Sequence, residues 1–158
     1  MLTGVAMYVA QGGFSADSPA AAPTRLPTAD PSVPVAASPA PSVPPVCRTL
    51  LAKLPRDLGG RPSRPVTGSP PGVAAWGNPP VILRCGVPPV QVPPDTNKQF
   101  DINGVRWYAE ARGSAVVFTT TDRTVPVQVT VPATTSGNPA DVVADLSRPV
   151  GTTIAVSG

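Results

Sequence analysis

From residue 46 onward, the apolar positions of the 158-residue chain fall into short runs, each with its own period. Cys47, Leu50, Leu51 and Leu54 recur at spacings of three, four and seven, which places them on one face of a short helix that Pro55 stops. Residues 56–71 show no period and carry glycines at 59, 60 and 68 and prolines at 62, 65 and 70. This stretch is expected on the surface, because its backbone polar groups could not all be satisfied inside. The run Val81-Ile82-Leu83-Arg84-Cys85-Gly86 predicts a buried strand. Phe100-Asp101-Ile102 and Val105-Arg106-Trp107 flank Asn103-Gly104, a pair suited to the type I′ turn of a two-residue hairpin because both of its central positions need positive φ.

A β-branched and aromatic run covers 115–121. After it Val125, Val127, Val129 and Val131 alternate with Pro126, Gln128, Thr130 and Pro132, the period of a half-buried strand. Pro126 lacks a ladder N–H and predicts that this strand lies at an edge. Asn138 as N-cap, Pro139 at the first helical position and Asp141 in the first turn predict a second helix with Val142, Val143 and Leu146 inward and Pro149 as its end. Strands bracketed by helices predict an α+β domain: a small, mostly antiparallel sheet, covered on one face, with a helix near each end.

Composition divides the chain. Of its residues 24 are proline and 14 glycine, and the prolines crowd into 15–45, where Leu26 is the one large aliphatic side chain and Ala, Ser, Thr and Val fill most other positions. Such a stretch has too little to bury to offset the entropy of ordering, and is expected to be a disordered Pro/Ala-rich linker. Residues 1–14 begin with an apolar, uncharged run too short to span a bilayer and without the basic start of a signal peptide. The small-residue run Val9-Ala10-Gln11-Gly12-Gly13 before the linker reads as the remnant of a hydrophobic export or anchor segment. The domain proper is 46–158, enough for one thin core.

Cys47 and Cys85 are the two cysteines. They are too far apart for a redox CxxC pair, and without histidine a zinc site would need carboxylates. A disulfide closing this loop would contribute roughly 3–4 kcal/mol, a large share of a small domain's stability, and would place the chain in an oxidising compartment. The competing reading is a reactive thiol beside Arg48 or Arg84.

The Cys47-Arg48-x-Leu50-Leu51 helix, the basic, Pro-rich stretch ending in Arg64-Pro65-Val66, the run Ala75-Trp76-Gly77-x-Pro79-Pro80-x-x-Leu83-Arg84-Cys85-Gly86 and Asn103-Gly104-Val105-x-Trp107 together resemble a family of actinobacterial domains of unknown function found in exported or membrane-tethered proteins. The resemblance implies an extracytoplasmic domain behind a single hydrophobic segment, with its cysteines paired, and implies no activity.

The residue inventory removes much chemistry. With no histidine in the chain, Ser-His-Asp and Cys-His catalysis and histidine metal clusters are excluded. Neither Lys53 nor Lys98 lies in an SxxK motif, and no P-loop or GxGxxG is present. Asp141 and Asp145 share a helix face, where acids near a helix N-terminus are ordinary. Asp95-Thr96-Asn97 begins like a calcium loop, but has Phe100 where glycine is required and Arg106 where glutamate should be. No metal or cofactor is expected.

What remains is a basic run of Lys53, Arg56, Arg61 and Arg64, in a domain whose 46–158 segment holds eleven Lys/Arg against seven Asp/Glu. Such an excess is either that of a solvated, solubilising loop or one that suits an anionic envelope polymer, a lipid headgroup or an envelope protein; it is too small, and too poor in interleaved aromatics, for nucleic acid. Trp76, beside glycine and two prolines, is either a core plug or an exposed aromatic platform; if it is exposed, a groove between it and Arg56, Arg61 and Arg64 is the expected binding site. The expectation is thus a monomeric, extracytoplasmic, non-catalytic binding or assembly accessory of the cell envelope. Its rivals are a carboxylate- or metal-dependent hydrolase of envelope glycans and a purely structural spacer.

Overall fold

The computed structural model describes residues 33–34 and 43–158. Residues 1–14, read above as an export remnant, and most of 15–45, read as a linker, lie outside the described residues. Helix α1 spans Pro45–Lys53, and β1 Ser63–Arg64, β2 Val73–Trp76, β3 Val81–Cys85, β4 Gln99–Ile102, β5 Val105–Arg112, β6 Ala115–Thr120, β7 Val127–Pro132 and α2 Pro139–Thr153 follow. The strands form one sheet in the order β1-β2-β3-β7-β6-β5-β4, antiparallel at every pairing. Two meanders build it. The chain runs β1 to β3 from one edge, crosses to the far edge through residues 86–98, and returns β4 to β7 until β7 closes on β3.

Both helices cover one face. Register puts Trp76, Val81, Leu83, Val127, Val129, Val131, Phe118 and Trp107 on that face, in a single core with Cys47 and Leu50 of α1 and Val142, Val143, Leu146 and Val150 of α2. The α+β class, the antiparallel sheet and a helix near each end are as the apolar periods predict. The Cys47–Cys85 disulfide joins α1 to β3, with an S–S distance of 2.01 Å and Cα atoms 5.6 Å apart. Its sulfurs lie in the core, with Cys47 fully buried.

The hairpin forms as expected, Ile102 facing Val105, with φ of 51° at Asn103 and 76° at Gly104. Asn138 caps α2, its side-chain oxygen accepting from the Ala140 N–H at 3.0 Å. Three expectations are corrected. The alternating-valine strand is not an edge: β7 sits between β3 and β6. Pro126 precedes the first ladder residue, so β7 loses no bond to it, and the Pro126 carbonyl accepts from the Gly86 N–H at 2.9 Å. Pro149 does not end α2, which continues to Thr153. A proline inside a helix disfavours it by about 3 kcal/mol, but continuing buries Val150 and Ile154 almost completely, each worth about 1.5–3 kcal/mol. Third, residues 56–71 are not all superficial: Leu58 is buried in the main core and β1 joins the sheet.

Candidate functional site

The aperiodic segment folds back on β2, and this produces a cleft. The Ser63 N–H donates to the Arg56 carbonyl at 2.7 Å, and Leu58 and Arg61 exchange backbone bonds across the turn between. The turn is held by Asp57, whose Oδ1 accepts from the Gly60 N–H at 2.7 Å. A groove of about 510 Å³ results. Leu51, Leu54, Arg56, Arg64, Val66 and Pro70 line it together with all four residues of β2.

Trp76 belongs to the core. Its indole is 1% exposed, and its Nε1–H donates to the Pro55 carbonyl at 2.9 Å. It ties β2 to the chain at Pro55 beside the groove, and does not present an open ring face. Trp107 is likewise buried, donating its Nε1–H to Ser147 Oγ at 2.9 Å, while the Ser147 hydroxyl donates to the Val143 carbonyl at 2.7 Å.

The basic run is divided by the fold. Arg56 is exposed at the groove, and Arg64, half-buried in its wall, donates from Nη1 to the Gly77 carbonyl at 2.8 Å. Arg61 turns the other way. It lines a separate cleft of about 320 Å³ with Asn78, Pro79 and Thr134, its Nη2 donating to the Ser136 carbonyl at 3.0 Å and its stem packed beside Gly77. Lys53 is exposed outside both. The sequence places Trp76, Arg56, Arg61 and Arg64 in one site; the structure brings the first two and Arg64 together and sends Arg61 elsewhere. Arginines at spacings of five and three in a loop carry no period from which that division can be read.

A third cleft of about 300 Å³ lies on the second face of the sheet, where residues 87–90 pass over Arg84, Arg112, Thr119 and Gln128. No Asp or Glu lines any of these three clefts. Several acids have structural partners instead: Asp57 in its turn, Glu110 with Arg112 at 2.7 Å, and Asp122 with Arg123 at 3.2 Å. Among the described residues, no three His, Cys, Asp or Glu side chains stand close enough to hold a metal ion, and no helix is long and apolar enough to cross a membrane.

Sequence reasoning overlooked Arg123. Its side chain is 4% exposed, donating from Nη1 to the Ile154 carbonyl at the end of α2 and from Nη2 to the Gly104 carbonyl of the hairpin. It ties these two ends together, and its position after Asp122 in a turn gives no sign of that.

Fold and groove together define a disulfide-clipped α+β domain with a cleft lined by apolar residues, two serines and two arginines. Over residues 5–157 the chain matches the model of a family described as Protein of unknown function (DUF3515), and it belongs to that family. No curated protein and no solved structure matches it.

Proposed function

We propose that this chain works outside the cytoplasm as a non-catalytic binding or assembly domain of the cell envelope, holding an anionic envelope component in the groove beside Arg56 and Arg64. The observation that carries this reading is the groove's composition. Apolar walls from Leu51, Leu54 and Val66 and two guanidinium groups, with no acid among its lining residues, suit a ligand that carries both an apolar portion and negative charge. The buried Cys47–Cys85 bridge supports the compartment, since such bonds persist where the surroundings are oxidising. Hydrolysis of glycans by paired carboxylates needs two acids facing across a cleft, and the lining of these clefts favours binding over that chemistry.

The test has two arms. Thiol alkylation of the chain isolated from its host, before and after reduction, is expected to label the cysteines only after reduction; labelling without reduction removes the extracytoplasmic reading. Vesicles containing anionic phospholipid and a purified anionic wall polymer are then titrated separately with the full chain. One of them is expected to bind in a salt-sensitive way, and Arg56→Glu is expected to weaken that binding by about tenfold or more, since each basic residue near an anionic surface contributes about 1 kcal/mol. Wild-type protein that binds neither is a spacer.

A further inference from the structure

One short piece of the Pro-rich segment is docked on the domain. Val33 is 2% exposed and seated against Val66, Val73, Ala75 and Ile82, a small cluster separate from the main core. Its N–H donates to the Pro65 carbonyl at 2.8 Å, and its carbonyl accepts from the Thr67 N–H at 2.9 Å, making a parallel bridge to Val66. Ala75 and Ile82 are paired in register and alternate with Ala74 and Leu83, so this seat is on the sheet face that the helices leave bare. The residues at the seat recur: Pro31-Ser32-Val33-Pro34 is repeated ten positions later as Pro41-Ser42-Val43-Pro44. Val43 packs on the helix-covered side, its methyls beside Gly72 and Gly86. The two copies of one motif therefore hold the sheet from its two faces.

The geometry points to a peptide-binding site on the domain, made by the Pro65–Thr67 backbone and the four-residue apolar seat, that takes an extended Val-Pro segment and is filled in cis by Val33-Pro34. The recognition is strand addition: main-chain bonds hold the peptide and one pocket reads one side chain. Both residues suit it. A residue before proline is already restricted to extended backbone, so little freedom is lost on docking. Pro34 has no N–H to leave unpaired beyond the single bridge. Emptied, the seat bares an apolar patch beside an unpaired donor and acceptor, which is the kind of edge that invites another chain. The segment is thus a ligand of the domain as well as its leash.

Magnitudes make this testable. With so few residues between Pro34 and the domain, the tethered ligand has an effective concentration of about millimolar, so a segment docked most of the time in cis must bind in trans with a dissociation constant of about millimolar or tighter. In the full ¹⁵N-labelled chain, slowed hydrogen exchange is expected at the Val33 and Thr67 amides. Val33→Asp, and Val33→Ser as a second variant without the charge, should release the Thr67 amide while leaving Leu83 and Val129 protected, which reports that the core is intact. The synthetic peptide Pro-Ser-Val-Pro-Val added to either variant should then shift the Thr67 and Ile82 resonances and saturate by roughly 10 mM. In the wild-type chain, where the peptide must compete with a cis segment at about millimolar effective concentration, half-saturation should fall at a higher peptide concentration than in the variants, and Pro-Ser-Asp-Pro-Val should be inert on every chain. Equal Thr67 exchange in wild type and variants, or folded variants that ignore the peptide, overturns the proposal. Val33 protection that vanishes on dilution of a dimer overturns the cis assignment and gives the seat to a second copy.

Discussion

Ser147 shows how one hydroxyl supports a buried aromatic. Trp107 is completely enclosed, and its indole N–H has Ser147 Oγ as its partner, while the hydroxyl's own proton goes to the Val143 carbonyl within α2. Removing the oxygen leaves an N–H donor with no water near it, which costs about 1–3 kcal/mol. Ser147→Ala is therefore expected to lower the unfolding free energy by about 2 kcal/mol, read from the midpoint of chemical denaturation at unchanged slope. Arg56 is the opposite case, an exposed side chain whose replacement should leave stability within about 0.5 kcal/mol of wild type. That contrast is what makes Arg56→Glu a clean probe of the groove.

Helix α2 carries its own internal conflict at Pro149. The ring removes the bond that residue 149 would make to the carbonyl four positions back, yet the helix persists because Val150 and Ile154 reach the core and Arg123 caps the Ile154 carbonyl at 3.1 Å. Local preference and tertiary packing disagree here, and packing wins. Pro149→Ala restores the missing donor without disturbing those anchors, and is expected to raise stability by about 1–3 kcal/mol, part of the gain being offset by the freer unfolded chain. A melt that shows no increase would mean that the proline ring itself packs better than the helix bond it forgoes. Strand β2 is a similar case. Val73, Ala74, Ala75 and Trp76 have no strong signature of their own, and become a strand because β3 lies alongside and the Trp76 ring fills the core.

Across the domain, the disulfide spans 38 positions and ties the first helix to a central part of the sheet. Its contribution follows from the loop it closes in the unfolded chain, roughly 3–4 kcal/mol. The double variant Cys47→Ala, Cys85→Ala is expected to melt roughly 10–20 °C lower than wild type, and reduction of the native chain should produce a shift of the same size. A domain that melts unchanged would mean that α1 is held by packing of Leu50 and Leu51 alone. The groove lies next to this staple, since Leu51 of α1 forms its wall. Loss of the bridge is therefore expected to weaken ligand capture at temperatures well below the melt.

The features legible without coordinates are those with local causes. Asn103-Gly104 specifies its turn because few other pairs reach positive φ twice. Asn138-Pro139 specifies a helix start because cap and ring act within one turn. The periods of Cys47 to Leu54 and of Val125 to Val131 report which side chains share a face, and the zero count of histidine excludes whole reaction classes. A period does not say which strand lies beside which: β7 becomes central only when two meanders from opposite edges meet, a long-range event that Pro126 could not forecast. For the same reason the basic loop reads as one patch, whereas folding turns Arg61 toward Ser136 and leaves Arg56 and Arg64 at the groove. Val33 looks like any other residue of the Pro-rich stretch until residues 65–67, β2 and β3 assemble the seat that buries it. Local chemistry specifies turns, caps and faces; neighbours in space, and with them the groove and the peptide seat, exist only once distant segments exclude water from one another.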